Sequence, residues 1–140
     1  MMVLRTAMLG AMVLCTASLA MADEVLYCTD THATGFRWDQ AGNANSARFN
    51  EERYTMKVIS DTERVISDMS GSTAGRSHSF TCHASALTQD QIICDDEDGG
   101  YRWVFYRNNY THAFLQGPPV GPPNSMDQNI WVAYGTCTRF

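Results

Sequence analysis

The sequence predicts an all-β fold: a small antiparallel meander barrel stapled by disulfides, with a two-sheet sandwich as the alternative. Three observations carry that prediction. Apolar and aromatic residues alternate with polar ones through most of the chain, the period of a half-buried strand. No segment sustains the 3.6-residue apolar stripe of an amphipathic helix. Beyond residue 22 there are four cysteines, Cys28, Cys82, Cys94 and Cys137, an even number in a domain-sized stretch.

The first 22 residues read as a secretory signal. Arg5 supplies the positive n-region, Ala7 to Leu19 form a short apolar run, and Ala20-Met21-Ala22 has the small-x-small spacing of a cleavage site. The run is shorter than the ~20 residues a membrane-spanning helix needs. Cleavage is expected between Ala22 and Asp23, leaving a single β domain over 23–140 in the periplasm or outside the cell. Cys15 leaves with the signal, because Leu14 stands where a lipoprotein needs a small residue. An oxidising compartment then favours two disulfides. The preferred pairing is Cys82 with Cys94, a local staple, and Cys28 with Cys137, joining the first and last strands.

In chain order, "EVLYCTD" and "TGFRW" open the strand pattern, and the polar "QAGNANSARFNEER" (40–53) reads as a long loop. "YTMKVIS" (54–60) and "RVISDM" (64–69) form a hairpin, with Tyr54, Met56 and Val58 on one side. "SFTCHA" and "QIICD" follow. "YRWVFYR" (101–107) and "YTHAFLQ" (110–116) form a second hairpin about Asn108-Asn109, since Asn tolerates the positive φ of a tight turn. "QGPPVGPPNSMDQN" (116–129) holds all four prolines and must leave the sheet, because proline has no N–H for a ladder. "IWVAYGTCTRF" is the last strand. Eight or nine strands result. Their expected core is Trp38, Trp103, Phe105, Phe114 and Trp131 with the aliphatics of 54–59 and 91–93.

Charge and motifs exclude more than they assign. The stretch after the signal holds 9 basic against 15 acidic residues, with the cations scattered singly. Duplex binding needs clustered Lys and Arg, so nucleic acid is not an expected partner. Stable membrane insertion is not expected after cleavage either. The most eye-catching stretch is "CDDEDGGY" (94–101). Neither alignment of its glycines gives a calcium loop of EF-hand spacing. Asp95, Asp96, Glu97 and Asp98 read as a solvated turn, with divalent-cation binding left open. His32, His78, His83 and His112 form no His-x-His or His-x₃-His pair and read as surface or half-buried residues. Ser77-His78 is no dyad, since strand neighbours face opposite ways. There is no G-x-S-x-G elbow, and oxidised cysteines offer no nucleophile. Adjacent carboxylates occur at Glu51-Glu52 and in the acid run, and neither is the separated couple that glycosidase chemistry needs. "NYT" (109–111) is a formal glycosylation sequon. No catalytic motif and no cofactor emerge.

Taken together, "VLYCTDTHATGFRW", "RFNEERY" and "AYGTCTRF" resemble a set of short exported bacterial β-rich proteins with two disulfides, which implies export and fold but no mechanism. The chain is also similar, more weakly, to periplasmic inhibitors of c-type lysozyme: small, exported, disulfide-bonded β-barrels. That family uses a Ser-Gly loop and a lysine. Here Ser70-Gly71 is present, but Lys57 is the sole lysine and the tyrosine that follows the motif is missing. The functional expectation is an exported binding module of the cell envelope, non-catalytic, meeting a protein partner through the 67–79 and 116–129 loops. A small-ligand barrel is the alternative, resting on aromatic strands 101–116. Polar side chains converging in a cleft would instead revive an enzyme.

Overall fold

The computed structural model describes residues 24–139, apart from 40, 42, 99 and 116–128. The signal segment and nearly all of the proline loop therefore lie outside the described residues. The described residues form nine strands and no helix: β1 (Glu24–Trp38), β2 (Ala44–Arg48), β3 (Arg53–Ser60), β4 (Glu63–Asp68), β5 (Ser77–Ala84), β6 (Gln91–Asp95), β7 (Tyr101–Tyr106), β8 (Asn109–Leu115) and β9 (Asn129–Arg139). Each of β3 to β8 pairs antiparallel with the next, and β1 pairs with both β3 and β9. Eight strands thus close into a barrel, which removes their edges. The sandwich alternative does not occur.

Both disulfides follow from register. Cys28 lies directly opposite Cys137 in the β1–β9 ladder and Cys82 opposite Cys94 in the β5–β6 ladder. Each pair is bonded, Cys28–Cys137 across 109 positions and Cys82–Cys94 across 12. All four sulfurs point into the barrel, where they pack with Met56, Ile66, Phe80, Trp103 and Phe105. Of the expected aromatic core, Trp103 and Phe105 are buried, whereas Trp38, Phe114 and Trp131 are only half-buried.

Three local expectations are corrected. "EVLYCTD" and "TGFRW" are one strand, β1, interrupted by a bulge between Asp30 and His32. The 40–53 loop contains β2, which pairs with the far end of β1. Asp39 starts that hairpin by accepting the backbone N–H groups of Ala41 (2.9 Å) and Asn43 (2.8 Å). Those bonds to Asn43 hold its carboxyl below the usual aspartate range. The second hairpin turns one residue earlier than its sequence suggests. Tyr106 pairs with Asn109, and the positive φ (55°) falls on Arg107.

Candidate functional site

The inward positions stack in layers, and the layers differ in kind. One end carries Leu26, Val58, Ile92 and Phe105 around Arg64, and the middle carries the disulfides. The other end, here the mouth, takes its inward residues from successive strands. They are Asp68 of β4, His78 of β5, Tyr101 of β7 and Trp131 of β9, with Glu52 just before β3. Beneath them lie Asp30, Tyr54, Trp103, Tyr110 and His112.

Asp30 organises the floor, and the bulge places it there. Period two carries Cys28 and Asp30 inward; after the extra residue, Ala33 resumes the inward face while Thr31 and His32 are exposed. Asp30 is only 4 % exposed, so its carboxylate depends on protein donors. Oδ1 accepts from Tyr110 O–H at 2.8 Å and from His112 Nε2 at 3.0 Å. Oδ2 accepts from the Glu52 backbone N–H at 3.1 Å and from Tyr54 O–H at 3.3 Å. Four donors occupy its lone-pair positions. Burial in this acidic layer raises both phenols far above the ordinary tyrosine range, so they act as donors.

A glycine makes the Tyr110 bond possible. Asp30 is opposite Gly135 in one ladder, and Gly135 is opposite Tyr110 in the next. A Cβ on Gly135 would run into the Tyr110 ring and the Thr29 carbonyl. Without that Cβ, the phenol crosses β9 to reach the carboxylate.

His112 is 1 % exposed. Its ring stacks on Trp103 (centroids 3.9 Å, 17°) and meets Tyr54 and Trp131 edge-on. Burial lowers its pKa despite the Asp30 carboxylate. With Asp30 accepting at Nε2, a neutral ring would hold its proton there and leave a lone pair on Nδ1. Among the described residues Nδ1 has no hydrogen-bond partner, and neither has the buried Trp103 Nε1. Both residues line a small cavity of about 30 Å³, which opens toward Glu52, Asp68, His78, Tyr101 and Trp131. A larger hollow of about 270 Å³ adjoins it, walled by Arg37, Phe49, Asn50, Ser72 and Thr73.

The mouth is acidic. Burial, with Asp68 and Asp30 close by, raises the pKa of Glu52. Burial and the carboxylates of Asp68, Glu52 and Asp96 push Tyr101 up to about 12. Glu52 accepts only a long contact from Tyr54 (3.5 Å), and no ion pair is found to Glu52 or Asp68 among the described residues. The opposite end holds a wider, more open hollow of about 750 Å³. Its buried Arg64 already donates to the Ser60 carbonyl, faces Phe105, and has Asp61 and Glu24 as nearby charges.

The sequence candidates divide as follows. Within the 67–79 loop, Ser72 and Thr73 reach the mouth, while Ser70 Oγ accepts the Arg53 N–H at 2.8 Å. Tyr101 and Trp103, from the aromatic strands, form a wall and part of the floor. In the acid run, Asp95 grips Arg102 in two bonds (2.6 and 3.1 Å) and Asp96 accepts the Tyr101 N–H at 3.0 Å, closing the turn. No group of three potential metal-binding side chains converges among the described residues. His32 and His83 are exposed; His78 stacks on Tyr101 at the rim. His112 is corrected outright: it is a fully buried histidine bound to a carboxylate. Polar groups do therefore converge in a cleft, which the sequence motifs did not reveal. The missed signal was period two. Asp30 stands two positions from Cys28, and His112 lies between Tyr110 and Phe114 on one strand face.

No protein-family model, curated protein or solved structure matches this chain.

Proposed function

We propose that the protein is an exported, non-catalytic binding barrel of the cell envelope that receives its ligand, or a side chain of a protein partner, in the mouth. One observation carries the reading: His112 and Trp103, whose buried ring nitrogens Nδ1 and Nε1 lack partners among the described residues, line a concavity walled by aromatics and carboxylates. Buried polar atoms are normally satisfied, and a preformed aromatic hollow with a few convergent polar groups is the usual form of a ligand site. The two disulfides fit an oxidising compartment outside the cytoplasm. No helix among the described residues is long and apolar enough to cross a membrane. Export rests on the sequence of residues 1–22.

The test is native mass spectrometry of the oxidised protein from its own host, wild type beside Trp131→Ala and Tyr101→Ala. The reading predicts a bound small molecule or complex that falls at least ten-fold in both variants while their thermal melting stays cooperative. Full retention of the bound species in both variants would place the site elsewhere.

A second reading has one observation in its favour. An Asp-oriented neutral histidine with a bare nitrogen is the arrangement of a general base. It would show as turnover of an ester or glycoside lost in His112→Gln. The binding reading is preferred because, among the described residues, no serine or cysteine hydrogen-bonds to His112, and its one hydroxyl hydrogen-bond contact, Tyr54 at 3.5 Å, is at the Nε2 side.

A further inference from the structure

The charge of the mouth narrows the ligand, and this step rests on the reading that the mouth is the binding site. Glu52 and Asp68 line the cavity and Asp30 lies beneath, and burial, then the charges of Asp68 and Asp30, disfavour ionisation of Glu52. The three carboxylates differ in how well they are served. Asp30 is filled by four donors, whereas Glu52 has one long contact and Asp68 accepts no side-chain bond among the described residues. Both open carboxylates face the cavity that His112 and Trp103 floor. Its walls are ring faces and edges: Tyr101 lies 5.8 Å from Trp131, and Tyr54 stands edge-on to Trp103 at 5.1 Å.

The titratable and indole side chains lining the cavity come from six strands, with Ile66, Thr73 and Phe80 between them. β3 and the residue before it offer Tyr54 and Glu52, β4 Asp68, and β5 His78. β7 offers Tyr101 and Trp103, β8 His112, and β9 Trp131. Asp30 of β1 lies beneath, and Asp96 holds the start of β7 at the rim. The one arginine of the outer hollow, Arg37, sits over the Phe49 ring at 5.0 Å. Carboxylates thus outnumber fixed cations, and aromatic faces attract positive charge through their quadrupoles. A donor would also suit the floor, since Nδ1 is buried without a partner among the described residues and is a lone pair when the imidazole is neutral.

We infer that the mouth takes a cationic nitrogen group, a guanidinium or ammonium, held between the Glu52 and Asp68 carboxylates and the rings of Tyr101 and Trp131, with one N–H given to His112 Nδ1. The indole N–H of Trp103 adds a preference for an oxygen beside that nitrogen, or for a water entering with it. The same chemistry is offered by a free small organic cation and by an arginine or lysine side chain of a protein partner.

The experiment is a ¹H–¹⁵N NMR titration of the full oxidised domain with butylguanidinium, its neutral counterpart butylurea, methyl glucoside, and a short arginine peptide. Wild type is compared with Glu52→Gln and Asp68→Asn, variants that ease like-charge crowding and so keep the fold. The inference predicts butylguanidinium at least ten-fold tighter than butylurea. Shifts should appear at the His112 ring nitrogens and the Trp103 and Trp131 indoles, with the selectivity lost in both variants. A peptide ten-fold tighter than butylguanidinium assigns the cation to a partner protein, and equal affinity assigns it to a free small molecule. Butylurea or methyl glucoside binding the same residues as tightly as the cation overturns the inference while leaving the mouth as the site. If no probe moves the floor resonances, the inference is overturned. Host ligand binding that survives Trp131→Ala would then bring down the mouth reading as well.

Discussion

At the residue scale the protein turns on a buried carboxylate. Asp30 is tolerated inside a barrel because four donors meet it, and removing its charge strands them. Asp30→Asn places an amide donor against O–H and N–H donors, and is expected to cost about 3 kcal/mol or more in urea unfolding. Glu52 behaves in the opposite sense. Its carboxyl pKa is raised by burial, Asp68 and Asp30, so the native state binds its proton more tightly than the unfolded chain does. The stability this provides is present below the ordinary value of 4.5 and is lost as pH rises through the raised one. Glu52→Gln should therefore melt higher than wild type at pH 7 and alike at pH 4, in paired thermal scans. His112 is depressed by burial, so its contribution is present above 6.5 and is lost as pH falls. Wild type should lose stability between pH 7 and 5 by a margin that His112→Gln does not show. Neither residue's role was legible from motifs. Asp30 sits in polar "CTDTH", and only the buried Cys28 two positions earlier marks its direction.

At the element scale, a strand is legible in the sequence where one face is apolar and hard to see where neither is. "YTMKVIS" and "YRWVFYR" gave β3 and β7 because inward and outward residues differ sharply in polarity. β2 was missed because "ANSAR" is an edge strand with no residue fully buried, held by its ladder to β1 and by Asp39 at the turn. The β1 bulge was missed too, since one extra residue in a polar stretch leaves no trace in hydrophobic period. Yet that bulge, with Gly135 opposite, builds the floor. Gly135→Ala is expected to destabilise by about 1–3 kcal/mol through overpacking, and to release the Tyr110 hydroxyl from Asp30. The readout is urea unfolding together with loss of the protected Tyr110 hydroxyl proton.

For the whole molecule, closure is the organising fact. The sequence indicated it through Cys28 and Cys137, and the ladder between β1 and β9 completes it. A crosslink over 109 positions constrains the unfolded chain more than one over 12. Replacing both cysteines of the Cys28–Cys137 pair by alanine should cost about 4–5 kcal/mol, against about 3 kcal/mol for Cys82–Cys94, as measured in denaturant. The barrel's two ends are chemically distinct because the mouth is acidic and aromatic, whereas the opposite end sets Leu26, Val58, Ile92 and Phe105 beside Arg64, Arg107 and Arg139 as well as Glu24 and Asp61. Single-residue motifs could not show that contrast, which emerges only once register aligns Glu52, Asp68, Tyr101 and Trp131.

The most direct test of the account is the tautomer of His112 in the free protein at pH 7, read from long-range ¹H–¹⁵N couplings. A neutral ring protonated at Nε2 and bare at Nδ1, ready to accept a donor in the mouth, is the expected result. An imidazolium, or a neutral ring protonated at Nδ1, would contradict it.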